Sequence, residues 1–223
     1  MSGAAASPRP SLHELAITGP VQPWIDLGCT PSHGDNSIPA IVIGTTTLVF
    51  VDEGAPPSID SWATSPYLDA VDGLRSHWPH SEPADGAVPT AGPQHANGAV
   101  ALDHVVVFTP DLDRTDAALA QVGFDRRRRR DVSTADASRW QSFYRMGEVI
   151  LEVVGPSPAD GETSAPARFW GLVIITDDLD AAVDAADDRI GPPRDAVQPG
   201  RRIATVRSGA GLGVPVAFMD PEP

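Results

Sequence analysis

Two polar residues, His104 and Glu152, lie inside apolar, strand-like stretches of the sequence at residues 102–109 and 148–154. An imidazole titrates near neutrality and can move a proton, and a neighbouring carboxylate can fix its tautomer. The same two groups are also ligands that Zn, Fe, Mn or Ni accept in proteins. Either chemistry requires the surrounding elements to bring the two stretches together.

The segment around these residues predicts one strand, one helix and three further strands. Residues 102–109 are mostly apolar and β-branched, as in a buried strand. Asp111 can cap the following helix, and Gly123 supplies the left-handed turn that ends it. Short strand-like runs separated by turn residues follow at 126–132, 140–145 and 148–154.

The same order of elements recurs downstream. Asp111-Leu112-Asp113 returns as Asp178-Leu179-Asp180, an offset of 67 residues. A strand at 168–176 precedes this second helix start, and candidate strands follow it at 194–198, 202–207 and 214–219. A repeated βαβββ unit restricts the possible folds more strongly than any single propensity.

These paired βαβββ modules resemble the vicinal oxygen chelate superfamily, the group of the glyoxalases and extradiol dioxygenases. The first strand carries LDHVVV, the last carries EVILEVV, and the resemblance covers residues 101–221. It implies an α+β fold in which the two modules enclose a hollow, here called the cup.

The predicted organisation has four parts. Residues 1–53 read as a truncated βαββ-like third module, and residues 54–98 as a connector rich in proline and glycine. A Ser-Pro start signal in this connector predicts a short helix at 66–77. The two βαβββ modules take residues 99–160 and 161–223.

The resemblance implies a divalent metal in the cup, held by residues of the first and last strands of each module. His104 and Glu152 match two of these positions, as metal ligands or as a catalytic pair. The downstream matches are Gly171 and a position near Ala217 or Phe218, none of which can bind metal through its side chain. We therefore expect no cofactor by default. Three alternatives remain open: a partial metal site, metal-free proton transfer, and a structural hydrogen bond between His104 and Glu152.

A third metal ligand is conceivable in the N-terminal segment. Aligning Pro20 with Pro110 places Glu14 opposite His104. Its use in the cup depends on how the truncated module packs against the other two.

Five consecutive arginines, Arg126 to Arg130, fall on a predicted strand. Alternation sends Arg126, Arg128 and Arg130 to one face. If that face lines the cup, Arg126 and Arg128 are candidates for binding a carboxylate or phosphate. The alternative is an edge strand whose charge prevents sheet-to-sheet association.

Three further residues are candidates for substrate binding. Arg201 lies in a turn that could present it, or Gln198, at the mouth of the cup, although ordinary turn chemistry explains the same residues. Trp140 and Tyr144 could stack on a ligand, or could belong to the core.

The composition of the chain excludes or disfavours several classes of binding partner. The 223-residue chain has a formal net charge of −14, and its sixteen basic residues are all arginines, which disfavours nucleic acid and anionic membranes. Its single cysteine, Cys29, excludes an internal disulfide, and no apolar run approaches the ~20 residues of a membrane span. We expect a cytoplasmic protein with a small-molecule partner, and the sequence is compatible with a homodimer.

Two classes of function fit these observations. The first is a glyoxalase-like protein that binds or converts a small organic molecule in the cup, without the full metal set of the family. The second is a non-catalytic module of the same fold for ligand sequestration or association. A metal-dependent lyase, isomerase or dioxygenase is a further alternative that the resemblance implies.

Overall fold

The computed structural model describes residues 9–33, 38–80, 93–157, 159 and 163–223. The N-terminal part contains β1 (Ser11–Thr18), α1 (Gln22–Asp26), β2 (Ser32–His33), β3 (Pro39–Ile43), β4 (Thr46–Val51), β5 (Ser58–Ser65) and β6 (Arg75–Ser76). The next module contains β7 (Ala99–Phe108), α2 (Leu112–Gln121), β8 (Arg126–Asp131), β9 (Trp140–Met146) and β10 (Val149–Gly155). The last contains β11 (Arg168–Thr176), α3 (Leu179–Ala185), β12 (Arg194–Asp195), β13 (Arg202–Thr205) and β14 (Val216–Met219).

The described strands form two sheets. One has six strands in the order β2-β3-β4-β1-β5-β6, and the other has eight in the order β12-β13-β14-β11-β7-β10-β9-β8. In the larger sheet the first strands of the two modules, β7 and β11, pair antiparallel at the centre. Each is flanked by the last strand of its own module in parallel pairing. The predicted α+β fold of paired βαβββ modules is therefore confirmed, and both modules belong to one chain.

The two module helices begin in the same way. The Asp111 side chain accepts a hydrogen bond from the backbone N–H of Arg114 at 3.0 Å, and that of Asp178 accepts one from Ala181 at 2.9 Å. Each carboxylate satisfies an N–H group that the helix itself cannot pair and suits the positive end of the helix dipole.

One hydrophobic core joins the two sheets. Leu15 and Ile17 of β1 and Val105 and Val107 of β7 all belong to it. Trp62 of β5 is fully buried there, and its ring lies 5.3 Å from that of Phe169 and 6.1 Å from that of Phe124. Because side chains alternate along a strand, the residues between these core positions face away from the shared core.

A β-bulge interrupts strand β7 immediately before His104. Leu102 pairs with Ile174 while His104 pairs with the adjacent Val173, so Asp103 is the extra residue. The bulge lets Leu102 join the core although His104, two residues later, faces the opposite side. Strand β1 repeats this feature at His13, immediately before Glu14.

The connector differs from the prediction. Strand β5 lies within the connector, and the prediction of a helix at 66–77 is wrong. Asp72 and Gly73 adopt positive φ angles of 47° and 90°, which form a tight turn closed by the Val71–Leu74 bridge. Two consecutive left-handed residues cannot belong to a right-handed helix. Residues 81–92 of the connector lie outside the described residues.

None of the described helices has both the length and the apolar character needed to cross a lipid bilayer.

The shared core can be tested by replacing Trp62 with alanine. Removing a fully buried indole costs about 3–5 kcal/mol in unfolding free energy, and we expect both sheets to lose stability in one transition. Trp78 is the matched control, because it is 71% exposed and stacks on Tyr67; its replacement should cost at most about 1 kcal/mol. Equal losses in urea denaturation would contradict a core centred on Trp62.

Candidate functional site

The larger sheet carries a cavity of about 690 Å³ on the face opposite the shared core. The half formed by the first module is polar, with His104, Arg128, Arg130, Gln141 and Glu152. The half formed by the second module combines apolar surface with Arg194, Asp195 and Gln198; its apolar residues include Ile203, Met219, Val197 and Pro199. This cavity is the cup, and one chain builds it.

His104 is fixed by Asp103. The imidazole Nδ1 lies 2.7 Å from Asp103 Oδ2. Burial raises the pKa of Asp103, but hydrogen bonds from His104 and Arg201 outweigh it and hold that pKa below the usual range. The ionised carboxylate can only accept, so Nδ1–H donates and Nε2 is directed toward the cup.

Arg201 holds Asp103 in place on the side away from His104. Its Nη2 donates to Asp103 Oδ1 at 2.9 Å and its Nε donates to the carbonyl of Asp220 at 2.8 Å. The side chains of Arg201 and Asp103 are only 4% and 7% exposed. The prediction that Arg201 contacts substrate is therefore not supported by its position; it holds Asp103, while Gln198 of the same turn does line the cup.

Glu152 meets His104 inside the cup. Strands β7 and β10 run parallel with Ile150 beside His104, which brings Glu152 Oε2 to 3.4 Å from His104 Nε2. Gln141 Nε2 donates to Glu152 Oε1 at 2.6 Å. Burial raises the pKa of Glu152, and this outweighs the opposing attraction of His104 and Arg130. The pKa of Glu152 therefore lies above that of an ordinary glutamate.

The arginine strand is divided between the two faces of the sheet. Arg128 and Arg130 line the cup. Arg126 does not, because a register shift between Arg126 and Arg128 turns it away, and its Nη1 lies 2.6 Å from Asp116 Oδ2. Among the described residues, Arg128, Arg130 and the cup-lining Arg194 form no salt bridge, although Arg130 also attracts Glu152 and the carboxylate of Asp195 lines the same cavity.

The two aromatic candidates also lie on the other face. Tyr144 is buried and its hydroxyl donates to Asp116 Oδ1 at 2.6 Å. Trp140 packs against the shared core and under the guanidinium of Arg129, 5.2 Å away. Alternation along β9 instead places Gln141 and Phe143 in the cup.

The donors of the cup do not fit a metal centre of three protein ligands. On the second-module side, Val173, Ala217 and Met219 form an apolar cluster that offers no metal ligand; Val173 pairs directly with His104. A side chain at Gly171 would meet the carbonyl oxygen of Pro215 at 2.5 Å. Glu14 does not line the cup and instead contacts His77 and His80. His104 and Glu152 therefore fall one ligand short.

Sequence reasoning missed two residues that organise the site. Asp103 precedes His104, so regular alternation places it on the opposite face, and only the bulge brings its carboxylate to the imidazole. Gln141 lies on a strand whose inward face the sequence did not define. An Asp-His pair in a strand was the available signal for Asp103.

Comparison with known proteins identifies the fold of the chain through solved structures. No protein-family model and no curated protein matches the chain. A variant of 4-hydroxymandelate synthase from Streptomyces coelicolor matches 96% of this chain and 93% of its own, with a TM-score of 0.67 and 14% identity. A xylose isomerase-like TIM barrel/4-hydroxyphenylpyruvate dioxygenase fusion protein matches 97% of this chain and 50% of its own, with a TM-score of 0.61 and 10% identity.

These likenesses and the sheet topology define a protein of the vicinal oxygen chelate fold. The resemblance in the LDHVVV and EVILEVV strands is thereby confirmed as a likeness of fold. At these identities it establishes no activity.

The support that Arg201 gives to Asp103 predicts a large stability effect. Arg201→Met removes the guanidinium group paired with the buried Asp103 carboxylate and should lower the unfolding free energy by about 3–5 kcal/mol. Arg207 is the control, because it pairs with Asp188 at the surface, and Arg207→Met should cost at most about 1 kcal/mol. Urea denaturation at neutral pH measures both; a small loss for Arg201→Met would contradict the buried anchor.

Proposed function

We propose that the cup binds a small organic acid and that His104 and Glu152 move a proton at a carbon next to its carbonyl group, without a metal ion in the cup. The observation that supports this most directly is the 3.4 Å approach of His104 Nε2 to Glu152 Oε2 at the wall of the 690 Å³ cavity.

The proton chemistry follows from the hydrogen bonds of the pair. With Nδ1–H bound to Asp103, His104 Nε2 can accept a proton from the carbon, and Asp103 stabilises the imidazolium that forms. Glu152, whose pKa is raised by burial, can return a proton at a second position. Arg130 supplies positive charge near the enolate produced in between.

The lining of the cup favours an acidic substrate. Arg128, Arg130 and Arg194 face the cavity and form no salt bridge among the described side chains, and guanidinium groups bind carboxylates in a bidentate manner. Ile203, Met219 and Val197 provide apolar surface for the hydrocarbon part. The cavity is also within the size range of small-molecule sites, about 300–1,000 Å³.

Sequestration without conversion is the second candidate. Gln141 and His104 contact the two carboxyl oxygens of Glu152, one each, which favours a structural role for that carboxyl group. The arginines and the apolar wall would still bind an organic acid. A metal-dependent reaction in the cup is not proposed, because the donor set is incomplete.

Binding can be tested with a panel of small 2-oxo and 2-hydroxy acids at millimolar concentration. A ligand at 100 times its Kd adds about 2.7 kcal/mol of stability, which is roughly 5–10 °C in Tm for a chain of this size. The double variant Arg128→Gln/Arg130→Gln should lose that shift, because it removes two cup-lining charges. Arg127→Gln is the control. If no acid raises the Tm, or if the double variant keeps the shift, the acidic ligand is contradicted.

Conversion can be tested by NMR detection of deuterium exchange from solvent into the carbon next to the carbonyl of a bound acid. His104→Gln and Glu152→Gln should each slow exchange by about 10²–10⁴-fold, the usual contribution of a positioned acid or base. Glu148→Gln, in the exposed turn before β10, is the matched control.

The outcomes separate the two candidates. Exchange that persists in EDTA and depends on His104 supports the metal-free reaction. Binding of an acid without exchange contradicts the reaction and supports sequestration. Unchanged exchange in both site variants would contradict the roles given to His104 and Glu152.

A further inference from the structure

A second polar cluster lies on the six-stranded sheet, away from the cup. Glu14 of β1 is met by His77 and His80, which follow β6; these three residues are here called the N-terminal triad. Glu14 Oε1 lies 2.9 Å from His77 Nε2 and 2.7 Å from His80 Nδ1. Among the described residues, this is the only group of three His, Cys, Asp or Glu side chains with ligand atoms within 4.8 Å of one another. We propose that the N-terminal triad binds a divalent transition-metal ion.

The donor set matches the chemistry of such an ion. Two imidazole nitrogens and one carboxylate oxygen are accepted by Zn²⁺ and by Fe²⁺, and three protein ligands leave room for an exchangeable one. Metal bonds of about 2.0–2.1 Å place tetrahedral ligand atoms about 3.3 Å apart. The present hydrogen-bond distances would have to widen by only about half an ångström, within the freedom of side-chain rotation.

The cluster is buried on one side and reachable on the other. The side chain of Glu14 is 1% exposed, while those of His77 and His80 are 15% and 29% exposed. An ion can therefore enter past His80 and meet a desolvated carboxylate. In a chain with a formal net charge of −14, the long-range field also favours cations.

Neighbouring groups orient the ligands. Ser61 Oγ lies 2.9 Å from His77 Nδ1, which leaves Nε2 directed at Glu14. The backbone N–H of His77 donates to the carbonyl of Trp62 at 3.0 Å and fixes the segment on β5. Groups that hydrogen-bond to a ligating histidine in this way fix the orientation of its ring in metal sites.

The position of Glu14 is the counterpart of His104. Each directly follows a bulge residue on the central strand of its sheet, and each pairs with the antiparallel neighbour strand. His77 and His80 come from the segment after β6, and none of the three lines the cup. The site is therefore distinct from the cup, and its test is independent of the proposed reaction.

The experiment titrates chelator-treated full-length protein with Zn²⁺ by calorimetry and with Co²⁺ by absorption spectroscopy. We expect one ion per chain and a Co²⁺ spectrum of low coordination number. His80→Gln and Glu14→Gln should weaken binding by more than about 100-fold. This exceeds the effect of losing a residue that only hydrogen-bonds to a metal ligand. Ser61→Ala should weaken it about 10-fold.

Two control variants make the result specific. His13→Gln changes the neighbouring histidine of β1, and His104→Gln changes the cup; both should bind Zn²⁺ as the unmodified protein does. The partly exposed His80 provides a variant expected to fold even if Glu14→Gln does not. Absence of stoichiometric binding, or binding that survives His80→Gln, would overturn the proposal and leave the two histidines as hydrogen-bond partners of a buried carboxylate.

Discussion

The cup depends on the buried hydrogen bond between Asp103 and His104. Burial alone would favour a neutral carboxyl group at Asp103, yet Arg201 and the imidazole together hold it ionised. An ionised Asp103 fixes the proton of His104 on Nδ1 and directs Nε2 toward Glu152. A histidine without this anchor could adopt either tautomer, and the pair with Glu152 would lose its defined acid–base direction.

The architecture could be predicted from the sequence because it is repeated. The 67-residue offset between the two helix starts and the strand-like runs around them define the paired modules. The sequence also predicted the sheet face on which His104 lies, because His104 alternates with core residues along one strand. The prediction that His104 lies close to Glu152 required the resemblance to a known fold, because that resemblance assigned both residues to the same cup.

Side-chain directions beyond those strands could not be predicted, because bulges change alternation by one residue. A register shift turns Arg126 toward Asp116 although Arg128 and Arg130 face the cup. Tyr144 shows the related problem that the inward face of a strand is undefined until its partner is known. His77 and His80 were missed because their partner, Glu14, lies more than sixty residues earlier in the chain.

The tautomer of His104 tests the central claim most directly. In protein labelled with ¹⁵N-histidine, NMR resolves protonated from unprotonated ring nitrogens, and His104→Gln assigns the signals of this residue. We expect Nδ1 of His104 to carry a proton across the neutral pH range, with a downfield proton resonance from its bond to Asp103. A neutral His104 with its proton on Nε2 would contradict the account.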